Sequence, residues 1–204
     1  MVTRVCVLRS GGDFTPDHVR LLASQVPGLV CLSDVAVQGV PTVPLHYDFP
    51  GWWSKAELFS GSISGDLFYI DLDTVVLDDI KPLIEAANGK TTMLSDFYWP
   101  EHAASGLMYI AAQDKAKVWD SWIAEPQKHM AAKPGRGTIG DQGFLAPILE
   151  PVQRWQDVAS GKVVSYKAHC ANGLPEGALV CCFHGKPRPW DVSHDWMKPN
   201  AEHQ

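Results

Sequence analysis

The sequence has no apolar run long enough to cross a bilayer. Stretches such as Gly177–Phe183 fall far short of the ~18 residues a membrane span needs, so no integral membrane segment is expected. The opening MVTRVCVLRSGGD has no long apolar segment and no small-residue cleavage site, so no secretory leader is expected either. There is no internal repeat and no low-complexity tract. Basic charge is in deficit: 17 Lys and Arg stand against 23 Asp and Glu, a net charge of −6, which argues against a general nucleic-acid binder. No cysteine framework is present: the five cysteines are an odd number without framework spacing, and the expectation is free thiols in a reducing cytoplasm. His169, Cys170, Cys181, Cys182 and His184 contain no Cys-x₂₋₄-Cys pair, which argues against structural zinc. Charged residues are only 20%, but hydrophobic ones are 46%, which excludes intrinsic disorder. At 204 residues the chain can bury most of its apolar surface without staples, and one domain over 1–204 is expected. Tryptophan is the residue in excess: eight, many beside Pro, Gly or Asp. Aromatics in such places often serve as ligand platforms, although core packing is their commoner role.

Alternating patterns open the chain. Thr3–Leu8 reads as a strand, Gly11-Gly12-Asp13 as a turn, and Thr15-Pro16 as the cap and first position of a helix over about Asp17–Gln25. Pro27-Gly28 breaks it before a second strand, Leu29–Leu32, so a β-α-β opening and a parallel sheet are expected. A short helix is expected at Trp52–Phe59, and strands at Leu67–Ile70, Thr91–Leu94 and Leu107–Ala111, with Thr74–Leu77 extended. Helices follow at Ile80–Ala87, Lys115–Ala124 and about Asp141–Leu149, and Lys133-Pro134-Gly135-Arg136-Gly137 reads as a loop. Short strands near Val163–Tyr166 and Leu179–Phe183 precede a Pro- and Trp-rich tail. The fold class is α/β, a mixed, mostly parallel sheet flanked by helices.

Tyr69-Ile70-Asp71-Leu72-Asp73-Thr74 carries the chemistry. An apolar strand runs straight into two carboxylates at alternate positions, which on an extended chain point to the same side. Such a pair repels itself unless a cation or a shared proton lies between the two. Oxygen ligands of this kind suit Mg²⁺ or Mn²⁺, which can also hold a diphosphate.

Two families use this local pattern. Haloacid-dehalogenase phosphatases have a strand ending Asp-x-Asp-x-Thr, the first Asp a nucleophile. Their motif lies on the first strand and a Gly usually follows the second Asp. Here a β-α-β unit precedes it and Thr74 follows Asp73. The other family fits more of the chain. Lys55 to Phe59 is similar to the Lys-x-x-x-Phe helix of glycosyltransferase family eight, the glycogenin and bacterial lipopolysaccharide galactosyltransferase type. Ala104-Ser105-Gly106 resembles its Asn-Ser-Gly strand, and Gly140-Asp141-Gln142 its Asp-Gln helix start. His184-Gly185-Lys186-Pro187-Arg188-Pro189-Trp190 resembles its terminal His-x-x-Gly-x-x-Lys-Pro-Trp. The segments occur in family order over about residues 52 to 190.

The resemblance implies a GT-A fold and transfer of a hexose from a nucleotide sugar, most simply UDP-linked, to a hydroxyl of a glycan, lipid or protein, with retention of configuration. It implies Mn²⁺ or Mg²⁺ held most directly by Asp73, by Asp71 bridging ribose and metal, and by His184. Lys55 and Lys186 would neutralise the diphosphate. The terminal motif is two residues short between its His and its Trp, so Arg188 is an alternative to Lys186. Gly185 belongs to the same loop. Asp141 and Gln142 would hold the donor sugar, with Ser105 and Gly106 beside them. Ala104 replaces the Asn that the family uses, which leaves the sugar open. On its own, Asp141 also reads as a helix cap. The loop after the first strand, with Arg9, and Asp34 after the second strand are where such folds bind the nucleotide base. A degenerate member that binds sugar nucleotide without turnover is the non-catalytic alternative. The oligomeric state is not legible.

Overall fold

The computed structural model describes residues 2–132, 135 and 139–197. The expected loop at 133–137 therefore lies, Gly135 apart, outside the described residues.

Strand β1 (Val2–Leu8) begins the chain, and α1 (Pro16–Gln25) returns it to β2 (Val30–Ser33) and β3 (Thr42–Pro44). Thr15 is the N-cap of α1 with Pro16 in the first turn, and its backbone N–H donates to His18 Nδ1 at 3.0 Å. A 3₁₀ stretch, Gly51–Phe59, leads to β4 (Asp66–Ile70) and then β5 (Thr74–Val76). After α2 (Lys81–Ala87) come β6 (Thr92–Ser95) and β7 (Ala103–Ile110). The helices α3 (Ala112–Ala124), α4 (Pro126–Ala131) and α5 (Asp141–Leu149) follow. The chain then runs through β8 (Gln153–Arg154), α6 (Trp155–Val158), β9 (Val163–Ser165), α7 (Tyr166–His169) and β10 (Val180–Cys182).

Seven strands form one sheet in the order β3-β2-β1-β4-β7-β6-β8. β1 is parallel to β2 and β4, β2 to β3, and β6 to β8, while β7 runs antiparallel to β4 and β6. This is the mixed, mostly parallel sheet expected. Successive side chains of a strand face opposite sides, and the core follows that period. Cys6, Leu8, Phe68, Ile70, Leu107 and Tyr109 pack on one face with Val19 and Leu22 of α1, Leu83 of α2 and Trp155 of α6. Val5, Val7, Leu67, Tyr69, Met108 and Ile110 pack on the other with Leu58 and Phe59 of the 3₁₀ stretch, Val118 of α3 and Leu145 of α5. Helices thus cover both faces. Truncating a fully buried aromatic of this core, such as Phe59, to Ala would cost about 3–5 kcal/mol. All five cysteines are buried free thiols. Among the described residues no helix is long and apolar enough to cross a membrane.

Three differences from the sequence expectations matter. β7 starts at Ala103, four residues before the expected Leu107, because Ala-Ala-Ser-Gly has weak intrinsic strand preference and is drafted into the sheet by pairing with β6. A helix the sequence did not announce, α4, directly follows α3. Most important, Thr74–Val76 does not extend the central sheet. It belongs to a second, three-stranded sheet in the order β5-β10-β9, in which β5 runs antiparallel to β10.

Candidate active site at the end of β4

The second sheet explains how distant parts of the chain meet. β4 delivers Asp71 and Asp73 at its C-terminal end. β5 starts at once and pairs with β10, Thr74 opposite Cys182. The chain leaving β10 is thereby laid beside Asp73: Phe183 N donates to Asp73 O at 3.2 Å, and Gly185 N to Asp73 Oδ2 at 3.1 Å. Gly185 has φ of 101° and His184 of 37°, the left-handed region in which a non-glycine residue is uncommon. Arg188, further along the same segment, donates to the same oxygen of Asp73. On the other flank β7 pairs with β4, Ile70 opposite Leu107, so that Ser105 and Gly106 border Asp71, and Asp71 N donates to Gly106 O at 3.0 Å.

Lys55 comes from the 3₁₀ stretch and Asp141 from the first position of α5. Both are almost fully buried, at 7% and 6% exposure. Lys55 Nζ lies 3.0 Å from Asp141 Oδ2 and 3.6 Å from Asp71 Oδ1, and donates to Ser105 Oγ at 3.2 Å. The N-cap of α5 is Gly140, so Asp141 is not the helix cap its position in the sequence allowed. Its carboxylate instead faces Lys55 inside the cavity, with acceptor capacity left over. Burial alone would lower the Lys55 ammonium, but Asp141 and Asp71 overcome it and hold its pKa above the ordinary value. Asp71 moves the other way. Desolvation, with the like charge of Asp73, pushes its carboxyl up to about 6 against the pull of Lys55 and the Tyr69 hydroxyl, which donates to Asp71 Oδ1. His184 is lowered, first by burial and then by the nearby Lys167. Its Nε2 lies 2.7 Å from Ser165 Oγ.

These groups line one cavity of about 440 Å³. All the residues singled out from the sequence line it except Lys186 and Asp34. Of the two cations in the terminal motif, Arg188 is the one in the cavity. Asp34 instead accepts from Ser10 N and Oγ at 2.8 and 2.6 Å, and braces the loop after β1 that carries Arg9. Several lining residues were not foreseen. Phe14 lies under the Arg188 guanidinium at 4.9 Å, Asp96 and Tyr98 flank the His184 side, and Trp52 stands at the mouth. The excess of Trp and the place of Trp52 beside Gly51 were its signals, and nothing in the local sequence marks Phe14 or Asp96.

The donor types of Asp71, Asp73 and His184 suit a hard divalent cation, and all three face the same cavity. Among the described residues, however, no three such groups are drawn together as a ready-made metal site. Arg188 neutralises Asp73, Lys55 neutralises Asp71, and His184 is engaged with Ser165. The set fits such an ion in chemistry, and Arg188 would have to release Asp73 to admit it.

No protein-family model matches this sequence, and no curated protein does. Solved structures do. The glycosyltransferase GlyE of Streptococcus pneumoniae TIGR4 matches with a TM-score of 0.61 at 14% identity, over 95% of this chain. This chain spans only 57% of GlyE. The galactosyltransferase LgtC, solved in complex with donor and acceptor sugar analogs, matches with a TM-score of 0.60 at 13% identity, over 98% of this chain and 92% of LgtC. Mouse xyloside xylosyltransferase 1 matches with a TM-score of 0.51 at 12% identity, over 91% of this chain and 98% of that one. With its seven-stranded mixed sheet between helical layers, the chain has the GT-A fold of these glycosyltransferases.

Proposed function

We propose that this chain is a glycosyltransferase that moves a hexose from a nucleotide sugar, UDP-linked in the simplest reading, to a hydroxyl acceptor with retention of configuration. One observation carries the reading: Asp73 at the end of β4 is bonded by Gly185 and Arg188, residues more than a hundred positions away, in a cavity shared with Lys55 and Asp141. The segments that resemble a transferase motif set in sequence order meet in space. A phosphatase using Asp71 as nucleophile gives no role to the His184–Trp190 segment. The shared cavity speaks against that alternative.

In this reading Asp71, Asp73 and His184 would hold Mn²⁺ or Mg²⁺. The ion, when bound, would stabilise negative charge on the departing diphosphate. The remaining work falls to the chain's own residues. Arg188 exchanges Asp73 for a phosphate oxygen, trading one charge-assisted hydrogen bond for another. Lys55, already desolvated, adds positive charge at the inner end of the cavity, where it acts more strongly than in water. Asp141 accepts hydrogen bonds from donor-sugar hydroxyls, and Gln142, also lining the cavity, holds the same sugar. The bond from the anomeric carbon to the diphosphate oxygen breaks, the acceptor oxygen forms the new bond on the same face, and the acceptor proton passes to the leaving phosphate. No side-chain base is then required.

The test is calorimetry with UDP and Mn²⁺, together and apart, followed by a screen of UDP-hexoses for release of UDP. Expected are UDP binding that depends on Mn²⁺, and slow UDP release from one UDP-hexose. A chain that binds neither UDP nor a UDP-hexose with Mn²⁺ present, yet hydrolyses simple phosphate esters, overturns the reading.

A further inference from the structure

Arg188 reaches the cavity from a segment that is fastened elsewhere. One 3₁₀ turn, Pro189–Asp191, follows it. Asp191 N donates to Arg188 O at 3.0 Å and Arg188 N to Asp191 Oδ2 at 2.8 Å, which ties Arg188 and Trp190 into one unit. Trp190 stacks on His18 in the first turn of α1, with ring centroids 3.8 Å apart and planes 17° from parallel. Phe14 meets both rings edge-on at 6.0 Å and holds the Arg188 guanidinium over its own face. Arg188 also lies 3.5 Å from Asp13. The terminal segment is thus docked on the start of α1 through the His18 ring.

That ring is placed to be neutral. Its Nδ1 accepts the Thr15 N–H at 3.0 Å, which requires a bare nitrogen there. A proton on Nδ1 would set N–H against N–H. It would also put a cation at the positive end of α1 and near Arg188. The charged groups facing His18 are Asp17 on its own helix, itself paired with Arg20, and Arg188 on the docked segment. On the remaining side lie Leu21, Leu22, Gln25, Pro189 and Met197, none of which titrates. Burial first, and Arg188 with it, hold the His18 pKa below the ordinary value against the pull of Asp17.

We propose that the His18–Trp190 stack is an acid-released latch: neutral His18 docks the segment that carries Arg188 into the cavity, and protonated His18 lets it go. The open form binds a proton more tightly than the docked one, so falling pH favours opening. A charged ring over an indole gains a cation–π attraction, but the lost Thr15 bond and the positive neighbours oppose it. Docking is in full force above about pH 6.5, the free-histidine value, and weakens as pH falls from there through the lower docked value. The latch acts on Arg188 whatever the cavity binds, so it stands apart from the transferase reading.

The test uses the full chain without nucleotide or metal, from about pH 8 to about pH 5, across the histidine range. It follows the His18 Cε1 proton, the Trp190 indole ¹⁵N–¹H resonance and the ¹H–¹⁵N NOE of the Trp190 and Asp191 amides. The two ring resonances are identified by their loss in His18→Phe and Trp190→Phe. His18 and Trp190 should titrate with one midpoint, below about 6.5, and the amide NOEs should fall through it. His18→Phe keeps a ring to stack but takes no proton, and should leave the Trp190 indole flat with pH. Trp190→Ala uncovers His18 and should raise its midpoint. A His18 midpoint above about 6.5, no His18 titration in this range, or Trp190 signals that stay constant while His18 titrates overturns the proposal. So does a Trp190 transition that survives in His18→Phe, which would belong to the cavity carboxylates, or an unmoved His18 midpoint in Trp190→Ala. The parent titration needs no variant, so misfolding of either one leaves the proposal decidable, and a failure to bind UDP has no bearing on it.

Discussion

At one end of β4, Tyr109 Oη donates to Asp66 Oδ2 at 2.6 Å; at the other, Tyr69 Oη donates to Asp71 Oδ1. The two carboxylates flank one strand and behave in opposite ways. Asp66 also accepts from Ala112 N at 2.8 Å. It therefore caps α3 from outside the helix, where Ala111 has no side chain to do so. Lys115 stands nearby, donating to Ile63 O and Gly65 O. Burial works against the Asp66 charge, but the Tyr109 and Ala112 hydrogen bonds outweigh it, and its carboxyl is held below the ordinary value. Asp71 has Asp73 and Asp141 as neighbours, with Lys55 as its counter-charge among the described residues. Desolvation and like charge push it up to about 6. One end of the strand is fully satisfied by donors and serves stability. The other crowds Asp71, Asp73 and Asp141 against Lys55 and Arg188, and a perturbed carboxyl in such a cluster marks a candidate functional site.

The sharpest way to break this contrast is at the crowded end. Asp73→Asn should leave the circular dichroism spectrum unchanged and weaken Mn²⁺-dependent UDP binding at least tenfold, about 1.4 kcal/mol or more. His184→Ala should weaken the same binding, and the double variant should cost less than the sum, because both remove one site. Calorimetry that gives strict additivity, or an unchanged affinity in Asp73→Asn, would separate the two residues and end the shared-metal reading.

Next in size is Asp141→Asn. It keeps the shape and leaves Lys55 its contact with Asp71. Turnover should fall by about tenfold to a hundredfold, with UDP affinity within a few-fold, since the side chain is assigned to the sugar rather than the diphosphate. Equal losses in turnover and UDP affinity would place Asp141 at the diphosphate instead.

The contrast also marks what the sequence could and could not reveal. The pair Asp71-Leu72-Asp73 was legible because an apolar strand feeding two alternate acids is a local pattern. So was α5, whose observed span Asp141–Leu149 matches the expected one. The β1-α1-β2 opening was legible from its breakers. What failed was non-local. β5 and β10 are three residues each, too short to show a period, so the sheet that carries His184 and Arg188 to Asp73 could not be read. The choice of Arg188 over Lys186 was set by that same sheet. Asp66 drew no notice at all, because its partners Tyr109 and Ala112 are more than forty positions away. Trp52 was visible only as a Trp beside a Gly, since its support is the backbone of Gly140.

At the satisfied end the expected effects are on stability alone. Asp66→Ala removes a charged acceptor from a tyrosine and from the first turn of α3, and hydrogen bonds to charged groups contribute about 1.5–3 kcal/mol. A loss of about 2 kcal/mol in chemical denaturation is expected, with Mn²⁺-dependent UDP affinity unchanged. A fall in UDP affinity without loss of stability would erase the distinction between the two ends.

The smallest effect is the most diagnostic of cause. Asp66 has a folded-state carboxyl pKa below its ordinary value. Its ionised form therefore contributes stability that is fully present above the unfolded value of about 3.9 and is lost as pH falls through the lower folded value. Asp66→Asn keeps one acceptor oxygen, for Ala112 N, and an amide N–H that can donate to Tyr109 Oη, but has no charge to lose. The stability gap between the parent and Asp66→Asn should be roughly constant from pH 7 to pH 5 and close as pH falls below the unfolded value of about 3.9 and through the lower folded one. The closing is small, because one partly exposed carboxylate carries it, and urea midpoints at closely spaced pH values are needed to see it. Salt adds a second check: 0.5 M NaCl should shrink the gap at pH 6, since charge at a helix N-terminus is screened. A gap that persists unchanged to pH 2.5 would mean that Asp66 stabilises by shape and hydrogen bonding alone. The opposed shifts of the two carboxyls at the ends of β4 would then not be the reason they differ.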